Sequence, residues 1–355
     1  MRPRLHVQLS GSVRRLGLLA GWALMVALFG ILRPAEFLNT GTASAILSSQ
    51  APLLVLALGL LPPLTADALD LSAPATLGLG ATLLGELNVI HRWPLWASIA
   101  AVVICGVIIG SLNAIFIVGF GVDPIVVTLG TGTLLGGAAL GINIVPTAGV
   151  SSWLVSLTRY PIFGLQMVFY FGVVLALATW YFSTYTPSGR HLFFVGAGPD
   201  VARLTGINVA LYRSAALIYG SVVASIAGVL LVGSLGSSDP TIGPTYLLPV
   251  FASVFLGATT ITPGRFNAWG TVVAVYFLTT GVTGLELLGL SGWVNQVFYG
   301  AALVLAATFS HTVTRRRQRD ARPDHDTLSW TGQQKAVSPD SQPASPATDP
   351  PSGTH

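Results

Sequence analysis

Apolar runs of about 18 to 25 residues recur along most of the chain, divided by short breaks rich in Pro, Gly and the few charged side chains. As helices, such runs cross a hydrocarbon core about 30 Å thick, and a helix satisfies its own backbone hydrogen bonds inside lipid. The pattern predicts an all-α, polytopic membrane protein with about ten transmembrane helices, some broken or re-entrant. The expected spans are Leu16–Leu32, Ala43–Leu64, Leu71–Ile90, Leu95–Val118, Asp123–Val145, Ile162–Phe182, Tyr212–Val232, Tyr246–Ile261, Ala268–Leu285 and Trp293–Phe309. Pro62 and Pro63 should kink or end the second span. Gly106 and Gly110, four apart on the fourth, let helices approach closely in lipid.

Polar positions organise the remainder. Residues 1–15 form a basic arm, 16–310 the membrane domain, and 311–355, rich in Pro, Ser, Asp and Gln, read as a disordered tail. One polar island, Thr186 to Leu211, interrupts the apolar pattern in the middle of the chain. Pro187, Gly189, Gly196, Gly198 and Pro199 read there as turn formers. Asp200 to Thr205 then suits one or two helical turns, with Asp200 near the positive N-terminal end. Arg190, Arg203 and Arg213 add cations, so the island is either a docking element for a soluble partner or a plain basic loop. Ser234 to Thr245 reads as a turn-rich loop outside the bilayer.

Composition supports the membrane assignment: 52% of the 355 residues are hydrophobic and 8% are charged. The net charge of +4 comes largely from Arg2, Arg4, Arg14 and Arg15 and from Arg315, Arg316, Arg317 and Arg319. With ten spans, both termini and the central island share one side, which the positive-inside rule makes cytoplasmic. Basic clusters beside spans mark sidedness and give no reason to expect a nucleic-acid partner.

The chemistry of the side chains narrows function further. The single Cys105 leaves no disulfide framework or Cys-based metal site. No GxxxxGK[ST] phosphate loop, HExxH pair or hydrolase-like Ser, His and acid set occurs, so catalysis is the weaker reading. An intramembrane enzyme assembled from distant helices stays open as an alternative, and so does an ion-coupled secondary transporter with a mid-membrane ion site. Asp67 and Asp70 either sit at an interface, with Asp70 capping the next helix, or face a solute path. Glu86 and Glu286 fall near helix ends. Asn113, Asn143 and Gln296 can bond a neighbouring helix or a hydroxylated solute. Breaks at Pro62, Pro63, Pro74, Pro124, Gly257, Pro263 and Gly264 favour a polar pathway between helices.

The segment TPSGRHLFFVGAGPDVARLTGINV closely resembles the cytoplasmic coupling loop of permease subunits from bacterial ABC importers of the ribose, xylose and galactose type. Gly189, Arg190, Val195, Gly196, Pro199, Ala202, Arg203, Gly206, Ile207 and Val209 match that pattern. Asn113 and the stretch Asp123, Pro124, Ile125, Thr128, Leu129, Gly130 and Thr131 also match, as does LDLS at Leu69 to Ser72. Pro240, Gly243, Gly257, Gly264, Arg265, Gly270, Thr271 and Gly289 fall where the second half of the family is Gly-rich. The likeness covers about residues 15 to 310 and leaves out the tail. The chain departs from it at Thr65 to Ala68, Ala73 and Pro74, and in having Ala258 and Pro263 where the family carries glycines.

The resemblance implies a permease working as a pair, identical or related, with cytoplasmic ATP-binding subunits, an extracytoplasmic solute-binding protein and the lipid bilayer as partners. It implies import of a small hydrophilic solute such as a monosaccharide across the bacterial cell membrane, with ATP and Mg on the ATPase and no cofactor on this chain. Gly189, Arg190, Gly196, Pro199, Asp200, Arg203 and Gly206 would form the ATPase-docking surface. Asp70, Asn113, Thr128 and Asn143 would lie near the translocation path. The departures lie near the path, where added side chains would narrow or reshape it, and leave the coupling loop intact.

Overall fold

The computed structural model describes the backbone of residues 4–290 and 292–320 and the side chains of 17–290 and 292–308. Helix α1 (Arg4–Leu32) runs without a break from the basic arm into the first apolar segment. After α2 (Pro34–Phe37), α3 (Thr40–Ser49) and α4 (Ala51–Thr65) form one span hinged at Gln50. Pro62 and Pro63 occupy the last turn of α4, which ends at Thr65, and Asp67, at φ 58°, turns the chain away. Helix α5 (Ala73–Gly85) and α6 (Leu95–Ala114) each finish in a π-helical turn, Glu86–Ile90 and Ile115–Gly119. Helix α7 (Pro124–Ile142) starts at a Pro, with the Asp123 carboxylate accepting from Ile125 N and Val126 N.

Next come α8 (Ser152–Arg159), α9 (Met167–Tyr185), α10 (Pro187–Ala197), α11 (Pro199–Leu204) and α12 (Val209–Leu235). The described chain closes with α13 (Ile242–Thr245), α14 (Leu247–Gly257), α15 (Ala268–Leu287) and α16 (Trp293–Asp320). Among the described residues, 7 helical segments are long and apolar enough to cross a membrane. Shorter apolar segments at Gly17–Leu32, Ile242–Gly257 and Trp293–Thr308 occupy the other positions where the sequence pattern predicts spans. The fold is an all-α, polytopic one.

Several boundaries differ from the sequence reading for local reasons. The sixth span begins at Met167 because Pro161–Ile162 and Leu165–Gln166 pair as a small hairpin around Phe163 (φ 49°) and Gly164 (φ 82°). The eighth segment ends at Gly257, not Ile261, since the next residues fold into turns, with Gly264 N donating to Ala258 O at 2.9 Å. Residues 187–197 are helical where turn formers were expected: Pro187 occupies the first helical position and Thr186 accepts from Gly189 N at 3.1 Å. Helix α16 continues to Asp320, through residues 311–320 that the sequence assigned to the tail. Residues 321–355 lie outside the described residues, as do Arg2 and the side chains of Arg4, Arg14, Arg15, Arg315, Arg316, Arg317 and Arg319.

The core is built on α4 and α12. Leu53 to Leu58 are at most 2% exposed, and α4 packs against α9, α12, α14 and α15. Helix α12 also packs along α5 and α6. At its crossing with α6, a Cβ on Gly110 would stand 3.0 Å from Leu217 O and closer still to Ile218, so only glycine permits that approach. With 27 residues, α12 rises about 40 Å and separates the α10–α11 loop from the Ser237–Ser238 strand, which pairs with Thr147–Ala148 at the other end.

Candidate functional site

The α10–α11 loop is a small folded unit. Leu192, Val195, Ala202, Val209 and Ala216 bury together, and Ala66, just past α4, completes their cluster. Gly206, at φ 82°, ends α11 with its N–H on Arg203 O at 3.0 Å, and Ile207 N returns to Ala202 O at 3.0 Å. This inner packing turns the opposite face outward. Val201 is 67% exposed and Leu204 88%, large values for apolar side chains on a loop outside the spans. Asp200 and Arg203 flank them and pair at 3.1 Å, an exposed contact worth about 0 to 1 kcal/mol that leaves Arg203 free to re-pair. Arg190 is exposed as well. Beside α11 runs a shallow groove of about 510 Å³, lined by His191, Phe194, Ala197, Val201, Ala202 and Ile207.

Underneath, the unit is anchored at three places. The backbone at Gly196 lies directly on the Thr65 carbonyl, where any side chain would collide. Arg213 donates from Nε to Ala66 O at 3.0 Å and stands 3.6 Å from the Asp67 carboxylate. Arg265, from the 258–267 connection, places its guanidinium 4.0 Å from the centre of the Phe193 ring. The three cations of the island thus divide: Arg190 and Arg203 face out, while Arg213 binds the end of α4. Arg265 and Asp67 are anchors that sequence reasoning did not assign to the loop, since their partners are remote in the chain. Gly189 packs on the end of α9, and Pro199 begins α11.

Beyond Asp67 the chain enters a buried polar cluster. Asp70 Oδ1 accepts from Ser72 N at 2.9 Å and from the Ser72 hydroxyl, a turn that leads into α5, whose N-cap position is Ser72 itself. Burial raises the Asp70 carboxyl above its ordinary pKa, with the Ser72 hydrogen bonds pulling the other way. Asn113 Nδ2 donates to Ser72 Oγ at 2.9 Å, and the Thr131 hydroxyl to Asn113 Oδ1 at 2.8 Å. Thr128 donates to Leu69 O at 3.2 Å and Pro124 O at 2.7 Å.

The structure therefore brings Asp70, Asn113 and Thr128 together, each 0% exposed and turned toward protein. Ser72 and Thr131 join them; Ser72 stood inside the LDLS match, and Thr131 followed Thr128 at helical spacing. Asn143 is not part of the cluster. It lies at the far end of α7, where Nδ2 donates to Thr147 Oγ1 at 2.8 Å and Oδ1 accepts from Val145 N at 3.1 Å. Of the remaining polar candidates, Gln296 is exposed and Glu286 accepts from Asn295 Nδ2 at 3.0 Å. Among the described residues, no His, Cys, Asp and Glu side chains gather in a group able to hold a metal ion.

Helix α7 carries no charge on either face. Thr128, Thr131, Leu135 and Ala139 face the protein, whereas Leu129, Gly130, Thr133, Leu134 and Gly137 face outward. Only 11% of this span is buried, and nothing stands within 4 Å of a Cβ on Gly130 or Gly137.

A family model described as "Branched-chain amino acid transport system / permease component" matches residues 42–307. The chain is 31% identical over 290 residues to the Autoinducer 2 import system permease protein LsrD of Photorhabdus laumondii, covering 79% of this chain and 86% of that one. It is 30% identical over 302 residues to the LsrD protein of Photorhabdus temperata, covering 82% and 90%. It is also 25% identical over 294 residues to the D-allose transport system permease protein AlsC of Escherichia coli K12, covering 82% and 90%. No solved structure matches the chain.

Proposed function

The chain belongs to the family of branched-chain amino acid transport system permease components, and from that premise we propose how it imports solute and what solute it takes. It is the membrane-spanning permease subunit of an ATP-binding cassette importer, a transport subunit and not an enzyme. The α10–α11 loop is the surface that receives a separate ATPase subunit, with ATP and Mg held by that partner. Gly189, Gly196, Pro199 and Gly206 give the loop its shape; Arg190, Asp200 and Arg203 meet the ATPase.

One observation carries the docking assignment: α11 exposes Val201 and Leu204 beside Arg203 while its other face packs through Ala202 into the loop's own apolar cluster, which α10 at Gly196 and Arg213 tie to the end of α4. An apolar knob ringed by charges suits a groove on a soluble protein, and the rigid inner contacts pass on any push it receives. Both termini lie on this side, the cytoplasm, and the Ser234–Thr245 loop faces an extracytoplasmic binding protein.

The outward face of α7 meets a second permease, identical or related, and the solute passes between the two. Asn143 stands toward its outer mouth, and Asp70, Asn113 and Thr128 support the path from behind. Helix α7 carries Thr, Gly, Ala and aliphatic residues and no charge. Such a face suits a neutral, polyhydroxylated solute better than an amino acid, whose two charges need compensation once water is removed. The relative named for D-allose, a monosaccharide, supports the same class. The test is uptake of labelled D-allose into ATP-loaded membrane vesicles from the native host, with and without this chain. The reading expects ATP-dependent uptake that needs the chain and is competed by monosaccharides. Competition by leucine alone would overturn the solute class, and uptake driven by an ion gradient without ATP would overturn the importer mechanism.

A further inference from the structure

Residues 66–72, between α4 and α5, touch every element that must move together if the α10–α11 loop drives the membrane helices. Ala66 is buried in the loop's own apolar cluster and accepts from Arg213 at 3.0 Å. Ala68 packs with Ala114, Ile117 and Leu217, where α6 meets α12. Leu69 O accepts from Thr128 on α7 at 3.2 Å. The segment ends in a directional chain of donors: Thr131 to Asn113, Asn113 to Ser72, and Ser72 to Asp70. Asn113 and the Ser72 hydroxyl each donate one hydrogen bond and accept another, so the chain ties Asp70 to α7 through fixed donor and acceptor roles.

Asp70 closes the chain with one oxygen unpaired. Its carboxylate is 0% exposed, yet Oδ2 has no hydrogen-bond partner while Oδ1 carries the bonds to Ser72. A buried acceptor left open favours any second position of the segment that fills it. Ala66 and Asp67 tie the segment to the loop and Arg213 on one side, and Leu69 O ties it to α7 on the other.

We propose that Ser72, Asn113 and Thr131 are positioning residues that convert movement of the α10–α11 loop into displacement of α7, with residues 66–72 as the link. This rests on the importer reading above. Coupling would then be carried by a contiguous element with two arrangements, biased at one end by the ATPase and at the other by the path.

The test uses the full chain with its co-purified ATPase, in a Cys105→Ala background carrying Thr133→Cys on the outward face of α7 as reporter. Labelling of the reporter by a membrane-impermeant maleimide is compared without nucleotide and after trapping with ATP and vanadate, alongside ATP hydrolysis. The reporter chain alone should show a nucleotide-dependent change. Adding Thr131→Val should retain ATPase binding and hydrolysis but shrink that change by about tenfold, and Thr131→Ser should restore it. A full response in Thr131→Val would overturn the proposal. If that variant does not accumulate, Ser72→Ala cuts the same chain nearer Asp70 and must give the same uncoupling. Loss of ATPase binding in both, unrescued by Thr131→Ser, would make the network an element of folding only and overturn the positioning role. A reporter chain that brings no ATPase would overturn the importer reading, and the link with it.

Discussion

Two spans of the same mean hydropathy have opposite surroundings: the Thr40–Thr65 span is 72% buried within the chain, and the Pro124–Ile142 span is 11% buried. Hydropathy reports that a segment can leave water, but not what it meets afterwards. The α4 part of the first span is Leu-rich on all sides and has protein around it, as a central helix requires. Helix α7 interleaves Gly and Thr with its aliphatics, holds the protein through one hydrogen-bonding stripe, and leaves its other side, with Val126, Leu129 and Leu134, exposed in this chain. Surrounding protein confines one helix, and a single line of contacts holds the other.

Substitutions can break or sharpen that contrast. The largest stability loss is expected from Leu56→Ala, which empties a fully buried site in α4 and should cost about 2 to 5 kcal/mol. Leu134→Ala on α7, where the side chain is 75% exposed, should cost well under about 1 kcal/mol. Thermal unfolding of the detergent-solubilised protein, followed by size-exclusion fluorescence, compares the two; equal losses would dissolve the distinction.

A smaller loss is expected at the α6–α12 crossing. Gly110→Val drives a branched side chain into Ile218 and should lower stability by about 1 to 3 kcal/mol in the same assay. Gly137→Leu inverts the picture: the site has open space, so accumulation and unfolding temperature should stay near those of the parent. Uptake should nonetheless fall at least about tenfold if a second permease and the solute use that face. Unchanged uptake would put the face against lipid. Removing residues 321–355 should change neither stability nor uptake measurably, and loss of assembly would show that the tail has a structural role.

Much of this architecture was legible in the sequence because long apolar runs have few alternatives in lipid. The Gly106 and Gly110 pair marked a close crossing, and the place of Asp70 before Leu71 to Ala73 marked the approach to a helix start, although the N-cap position itself falls to Ser72. Helix α10 was hidden by its own composition. Pro187, Gly189 and Gly196 read as breakers, yet Pro187 occupies a first-turn position and the glycines permit contact with the ends of α9 and α4. The Thr131, Asn113, Ser72 and Asp70 chain could not be read, because its members come from separate segments joined only by folding. In sequence Arg213 is indistinguishable from the two outward arginines of the island, and only the fold places Asp67 and Ala66 O beneath it.

The central claim is that α11 is where an ATPase takes hold of the permease. The measurement that tests it most directly is purification of the tagged chain from its native host in mild detergent, as parent and as Arg203→Glu, with quantification of the bound nucleotide-binding subunit. The account predicts near-stoichiometric ATPase with the parent, and a loss of about tenfold or more with a variant that accumulates and unfolds like it. Equal recovery of ATPase with both proteins would contradict the placement of Arg203 in the docking surface, and a parent that carries no ATPase at all would contradict the claim itself.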